Sequence, residues 1–502
     1  MKRSFSCYLL MLICLTVSLG ALAEGYIWVI PPQFDAVSEF SEGLAAVEID
    51  EKWGFIDKTG KIVVPPKYCD VFGGDVYGFM DAGGFRDGLA KVQVGDWETG
   101  KWGFIDKTGK EVVPCKYDAV SSFFEGMAPI MVHDGETYKL GFIDTTGKEV
   151  VPPQYDEVGN FYDGLAMVCT GDGLRGDPGI VYGGKWGFVD KTGKEVVPIE
   201  YDKVGRFREG RASVLKDGLL GFVDETGAIV IPLTYETDWP PSLAWHLDVM
   251  PFFSEGLAAV WDGDVESGPY GYIDKDGNVV IPFEYDYAAP FSEGLAYVVK
   301  GGFCHVYGPD EELGKFGFID KTGEVVVPLI YDCDYPDHGV LYDQHFHDGF
   351  AKVSQEISSS MHMQYGMIDK TGQVVVPIEY DWVWQNGWKW NFDDGLAFVV
   401  LRDYCYETQY WGSSGLMDKT GKEIVAVGYY DGIESFSEGF AQVWHGGEGE
   451  NGYEMYHSGA HGFIDTTGRE IVLCIFEDVR SFSEGLAAVK VDGKWGYIAI
   501  AE

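Results

Sequence analysis

The chain has 502 residues and carries 80 Asp plus Glu against 37 Lys plus Arg, a formal charge of −43. With 46% hydrophobic residues it can bury a core, which excludes a disordered acidic chain. The charge also argues against binding nucleic acid or an anionic membrane surface, because phosphate contacts need clustered Lys and Arg. Length alone suggests roughly three domains of about 150 residues, a prior that an internal repeat cancels.

At the N-terminus, Lys2 and Arg3 precede an apolar run from Cys7 to Val17, and Ala21-Leu22-Ala23 supplies small residues at the positions that signal peptidase reads. This pattern predicts a secretory signal, residues 1–23, cleaved after Ala23. The run is shorter than the roughly 20 apolar residues of a spanning helix, and no later segment approaches that length. A secreted or cell-envelope protein without a membrane span is therefore expected. Cys14 lacks the preceding small residues of a lipoprotein signal. Seven cysteines remain beyond the signal: Cys69, Cys115, Cys169, Cys304, Cys333, Cys405 and Cys474. They are scattered and odd in number, so most read as small buried hydrophobes, with a bridge or two left open.

From residue 24 to residue 502 the chain reads as one array of about eleven units. The phrase Lys-Trp-Gly-Phe-Ile-Asp-Lys-Thr-Gly-Lys recurs with its first Gly at Gly54, Gly103, Gly141, Gly187, Gly221, Gly271, Gly317, Gly366, Gly415, Gly462 and Gly496. Fourteen positions later comes an aromatic residue, from Tyr68 to Phe476, and then a second phrase, Phe-Ser-Glu-Gly-Leu-Ala-x-Val. Gly-Phe-Ile alternates into Asp57-Lys58-Thr59-Gly60, which predicts a type I turn with a glycine bulge. Ile62-Val63-Val64 reads as the next strand, with Pro65 marking its end or an edge. Leu44 to Val47 is a further strand, and Val491-Asp492-Gly493-Lys494 is a hairpin turn back to the Trp-Gly strand. No helical period occurs.

The expected fold is all-β: tandem three-stranded antiparallel meanders that must stack to bury their faces. The chain opens on the third strand of a unit, Val29 to Asp35, and closes on the first two, so the terminal units are split between the ends. A curved open array is the leading arrangement. The alternative is a closed β-propeller-like toroid, one large or two smaller, since eleven blades exceed the usual four to eight. Trp53, Trp102, Trp186 and Trp495 share a position that elsewhere holds Leu, Tyr or Phe, as a packing site does; Ser414 and His461 break that rule.

Lys52-Trp53-Gly54-Phe55-Ile56-Asp57-Lys58-Thr59-Gly60-Lys61, with Val63-Val64-Pro65-Pro66-Lys67-Tyr68, resembles the WG-repeat (KWG) proteins of bacteria. The resemblance covers nearly all of residues 26–498. It implies a β-rich repeat protein, often exported, with no established catalytic residues to carry over.

Length varies at only two places, the connection from the aromatic residue to Phe and the one from Val to Gly. Function is expected on those insertions. In one, Trp382, Trp384, Trp388 and Trp390 alternate before Asp393-Asp394, and Tyr404, Tyr406, Tyr410 and Trp411 follow in the next. Aromatic faces beside carboxylates suit stacking on sugar rings, although two of these Trp equally suit a core face. Another insertion holds Cys333, His338, His345 and His347, donor types that zinc takes. The turn acids (ten Asp from Asp57 to Asp465 and eleven Glu or Asp from Glu42 to Glu484) are explained by turn geometry, and their rows could collect calcium weakly. No nucleophile elbow, HExxH, phosphate loop or dinucleotide fingerprint is present, so no catalytic residue and no cofactor is assigned. The expected function is an exported, non-enzymatic scaffold that binds a protein or a cell-wall or extracellular glycan through its variable loops. The alternatives are a carboxylate-dependent glycoside hydrolase and a purely structural cell-envelope protein.

Overall fold

A computed structural model of the chain describes residues 25–73, 84–96, 99–133, 135, 137–171, 184–236, 250–263, 269–302, 314–333, 345–358, 362–384, 395–401, 413–446 and 459–501. The signal segment and most of the inserted connections lie outside them. Among the described residues every regular element is a strand, and no helix is long and apolar enough to cross a membrane.

The strands form eleven small antiparallel sheets, ten of four strands and one of three. In the first sheet the order follows the chain: Ala36–Val37, Leu44–Ile49, Lys52–Asp57 and Ile62–Tyr68. The expected meander of three is present, and a two-residue strand ahead of Phe-Ser-Glu-Gly adds a fourth. That strand is too short to carry an alternation signal, so pattern reading misses it.

The turns follow the predicted chemistry. Asp57 N–H donates to the Lys61 carbonyl (3.0 Å) and Gly60 N–H to the Asp57 carbonyl (2.9 Å), while Gly60 takes φ 80°. The Asp57 carboxylate accepts from Thr59 N–H, Lys61 N–H and the Thr59 hydroxyl. At the other turn, Glu42 (φ 52°) and Gly43 (φ 87°) are both left-handed, the signature of a type I′ hairpin, with Ser41 and Leu44 exchanging backbone bonds.

The Trp-Gly glycine has a specific cause. Trp53 pairs with Tyr68 and Phe55 with Val64, so the edge strand carries two extra residues opposite Gly54. That strand does not stop at Pro65 as the sequence suggests; it bulges over the glycine and runs on to Tyr68. A Cβ on Gly54 would lie 2.5 Å from the Val64 carbonyl oxygen, and on Gly103 2.4 Å from that of Val113. Proline sits without penalty here because the strand is an edge and the bulge leaves its missing N–H unneeded.

The ninth unit departs from the even spacing. Ser414 pairs with Tyr430, not Tyr429, so its edge strand holds one residue more. Tyr430 is buried and Tyr429 is 60% exposed. Counted from Tyr430, the next Phe is again six residues on, at Phe436.

The chain divides into two compact units. Among the described residues, one takes those up to Lys116 and those from Trp384 on, the other those from Tyr117 to Val383. In the first unit the two ends of the chain share a sheet: Tyr26–Phe34 pairs antiparallel with Lys494–Ile500, completing a sheet begun by Asp478–Val479 and Ala487–Val491. An open array that starts and stops between hairpins would leave those strands unpaired. Blade-like sheets with one spliced from both termini fit the propeller-like alternative.

In each unit the core lies between consecutive sheets. One cluster joins Ile30, Phe34, Trp495 and Tyr497 to Val37, Phe40, Val47 and Ile56, the eleventh sheet to the first. The Trp position is a packing site as expected: Trp102, Trp186 and Trp495 are buried, and Trp53 is half-buried against Phe72. His461 does not weaken its sheet. It is fully buried and stacked on Trp444, its cross-strand partner, so the bulk comes from the neighbouring strand.

Truncating Trp102 to Ala is expected to cost about 3–5 kcal/mol in a thermal or denaturant melt. Gly103→Ala should cost about 1–3 kcal/mol although it only adds a methyl group, because the bulge must open.

Candidate functional site

The Phe-Ser-Glu-Gly turn joins one sheet to the next. The Ser hydroxyl donates to the carbonyl of the following sheet's Phe: Ser41 to Phe85, Ser254 to Phe291, Ser292 to Phe346, Ser437 to Phe482 and Ser483 to Phe40, all at 2.6–2.7 Å. The Glu carboxylate accepts from the backbone N–H groups of the next turn. Glu125 takes Asp163 and Gly164, Glu209 takes Glu255 and Gly256, and Glu438 takes Glu484 and Gly485. Glu484 in turn takes Gly43, carrying the link across the two ends of the chain.

A lysine completes this staple. It is the second residue of the next sheet's Asp-Lys-Thr-Gly turn, and its ammonium lies 2.9–3.0 Å from the Glu in six pairs: Lys58–Glu484, Lys107–Glu42, Lys191–Glu125, Lys275–Glu209, Lys321–Glu255 and Lys370–Glu293. The sequence follows this geometry. Asp87, Asp163 and Asp394 replace Glu in turns whose following units read Asp144-Thr145, Asp224-Glu225 and Asp465-Thr466, without the lysine. In most units a long acid stands where a lysine can meet it and a short one where none can; Asp348, before Asp418-Lys419, and Glu438, before Ala499-Ile500, depart from this.

Partial burial raises the Glu125, Glu209, Glu293 and Glu484 carboxyls, but the lysine hydrogen bond and the backbone N–H donors outweigh it and hold each below its usual range. The Asp57 carboxyl is lowered by the Thr59 hydroxyl first, with the turn N–H groups adding to it.

A third row of acids follows the aromatic residue. Asp118, Asp156, Asp202, Asp286 and Asp431 each accept a backbone N–H from the turn ahead of their sheet's Trp-Gly strand, as does Glu477. Lys139, Lys185, Lys315 and Lys494 pair with Asp156, Asp202, Asp332 and Asp35. The Lys of Lys-Trp-Gly thus has a partner that spacing alone does not reveal.

The staple and the Asp-Lys-Thr-Gly turn sit at one edge of each sheet. A meander reverses at every turn, so the variable Val-to-Gly connection falls at the opposite ends of the strands, whereas the other insertion follows the short first strand, as between Trp382–Trp384 and Leu396–Leu401 of the ninth sheet.

Of the aromatic residues expected to bind sugar, Trp382 and Trp384 lie in a short strand, Trp382–Trp384, whose side chains are outside the described residues. Trp388, Trp390, Tyr404, Tyr406, Tyr410 and Trp411 lie wholly outside them, as does His338. Cys333 is fully buried among Phe316, Phe318 and Val353, its sulfur 3.5 Å from the Tyr297 hydroxyl. His345 is half-buried. His347 occupies the Ser position of the staple, beside Asp348 and the Glu293 that reaches across from the preceding sheet. One donor atom from each of the three lies within 4.8 Å of the others. Glu293 and Asp348 were read from sequence only as turn acids, and the staple is what carries Glu293 to the histidine.

Comparison with known proteins gives one family. A profile described as "WG containing repeat" matches residues 28–53, 53–73, 102–135, 141–173, 186–219, 270–302, 316–332, 365–405, 415–447 and 462–495, more than half of the chain. No curated protein matches in sequence. Solved structures with similar folds include a eukaryotic initiation factor (12% identity, 69% of this chain and 87% of that one, TM-score 0.34). Others are AztD of Citrobacter koseri (14%, 68% and 93%, 0.27) and dipeptidyl peptidase 4 of Porphyromonas gingivalis (8%, 88% and 60%, 0.35). Likenesses this loose say nothing about function.

The staple predicts a pH response. Each lowered carboxyl contributes stability above its unfolded pKa, near 4.5, and loses it as pH falls through the lower folded value. The denaturation midpoint should therefore fall as pH drops below about 5. Glu484→Gln should lower stability at pH 7 by about 1–2 kcal/mol, and the deficit should shrink at pH 3.

Proposed function

The chain belongs to the WG-containing repeat family, and from that premise we infer that it is an exported scaffold that binds a protein or glycan without turning it over. The observation that carries this reading is the division of labour within each sheet. Among the described residues the two repeated phrases supply the turns, the bulge, much of the core and the staple, all of which hold the sheets. The two variable connections are what the repeat leaves free in length. Those connections differ from unit to unit, as recognition loops on a rigid support do.

A glycan is the ligand class we favour. Trp382, Trp384, Trp388 and Trp390, with Tyr404, Tyr406, Tyr410 and Trp411, concentrate aromatic faces in two consecutive connections. Flat aromatic faces pack on the apolar faces of sugar rings, and nearby acids such as Asp393 and Asp394 accept from their hydroxyls. Export is supported by Lys2-Arg3, the apolar run and Ala21-Leu22-Ala23. Binding in preference to hydrolysis is supported by the fate of most of the repeated carboxylates: the Asp of the Asp-Lys-Thr-Gly turn and the Glu of the staple are held as acceptors by backbone N–H groups or lysine.

The test is retention on cell-wall glycans and a glycan array, run beside a broad glycosidase screen. Wild-type chain should be retained without turnover, and changing the four Trp to Ala should abolish retention, with a melt verifying that the variant still folds. Retention that survives the four changes rejects the glycan reading, and hydrolysis of any retained glycan rejects the non-enzymatic one.

A further inference from the structure

We propose that Glu293, His347 and Asp348 form a binding site for a divalent transition metal of the zinc type, built by substitution within one staple.

The staple elsewhere places a Ser hydroxyl on the next Phe carbonyl and a Glu carboxylate on the next turn. At the junction of the seventh and eighth sheets the first half of this pattern persists: Ser292 donates to Phe346 (2.7 Å), and Glu293 accepts from Gly349 N–H (2.9 Å). In the eighth sheet itself His347 replaces Ser. Its backbone keeps the turn, exchanging bonds with Phe350. An imidazole therefore stands where five other turns carry a hydroxyl, beside the carboxylate that the staple delivers to that spot.

The imidazole is not absorbed by the repeat's own bonding. Its Nδ1 is covered from solvent and has no hydrogen-bond partner, and it lies 3.8 Å from Asp348 Oδ1. A covered ring nitrogen costs free energy if it stays unpaired. A cation held jointly with two carboxylates would satisfy it. One nitrogen and two carboxylate oxygens form a donor set that zinc accepts at about 2.0–2.2 Å, with water completing a tetrahedron. The donors lie within 4.8 Å of one another, and rotation of the exposed Asp348 and Glu293 side chains closes them onto an ion.

The present occupant of the carboxylate is Lys370, whose ammonium lies 2.9 Å from Glu293 Oε2 and also donates to the Glu293 carbonyl (3.0 Å). Lys370 and the metal therefore compete, which makes the site distinguishable from an adventitious histidine.

Isothermal titration of the full chain with zinc chloride tests this. One ion should bind per chain, and His347→Ser should weaken binding at least ten-fold, as loss of a direct ligand does. This variant installs the residue that five other staples carry, and an unchanged melting temperature verifies its fold. Glu293→Gln should weaken binding similarly, and Lys370→Gln should strengthen it. His338→Ser and His345→Ser should leave it unchanged. Absence of zinc binding by the wild type, zinc binding that survives His347→Ser, or loss of affinity in Lys370→Gln would each overturn the proposal.

Discussion

The structure depends on one interaction, the Glu of the Phe-Ser-Glu-Gly turn reaching the backbone N–H groups of the next. A four-stranded sheet of this size cannot stand alone, and burying its faces against its neighbours supplies the energy, about 1.5–3 kcal/mol for each large apolar side chain. Apolar packing is not directional, however, and leaves the offset between sheets loosely set. The staple sets it. A type I′ turn aims two N–H groups outward from left-handed residues, and a carboxylate from the preceding sheet accepts them. Each such bond is worth about 1.5–3 kcal/mol, small beside the core but specific in position. The same four residues thus make a hairpin and the interface of the next.

The Trp-Gly glycine is the second constraint, and it works inside the sheet. The edge strand needs two extra residues to bulge over the Trp-Gly strand, and the space comes from removing a side chain beneath them. The bulge twists the edge, and the proline lacks an N–H to offer. The bulge, joined by the proline in all but the ninth and tenth sheets, makes each sheet's outer edge a poor template for pairing with another chain. Several edge residues, such as Ile229, Val279 and Val325, are apolar and about half exposed.

Much of this was legible in sequence because a repeat compares itself with itself. The Asp-Lys-Thr-Gly turn, the Asp492-Gly493 hairpin and the complementary ends follow from local pattern. The two-residue strand was not legible, since two residues show no period. Nor was the continuation of the edge strand through Pro65, because a bulge reads locally as a stop. The ninth unit misled in a specific way: Tyr429 and Tyr430 are adjacent, even spacing selects the first, and packing selects the second. The staple left a signal that reading unit by unit passes over. Glu mostly stands before units with lysine in the turn and Asp before several without it, a correlation between neighbouring units rather than within one. At the candidate metal cluster, sequence pointed to His347 through a histidine pair on one segment. The partner from the preceding sheet, Glu293, lies 54 residues away, and only the stapled geometry joins them.

The charge of −43 takes its meaning from the same geometry. Asp at the Asp-Lys-Thr-Gly turn, Glu at the staple and most of the acids after the aromatic residue accept backbone N–H groups, and many also meet a lysine or a threonine hydroxyl. A carboxylate can accept several bonds at once and donates none when ionised, so it is the natural residue for collecting the N–H groups that tight turns leave unpaired. A protein that consists largely of tight turns accumulates acids for that reason, with too few lysines to balance them. The excess therefore describes how the sheets are joined, and the discrimination of any partner falls to the variable connections, where the repeat dictates neither length nor charge.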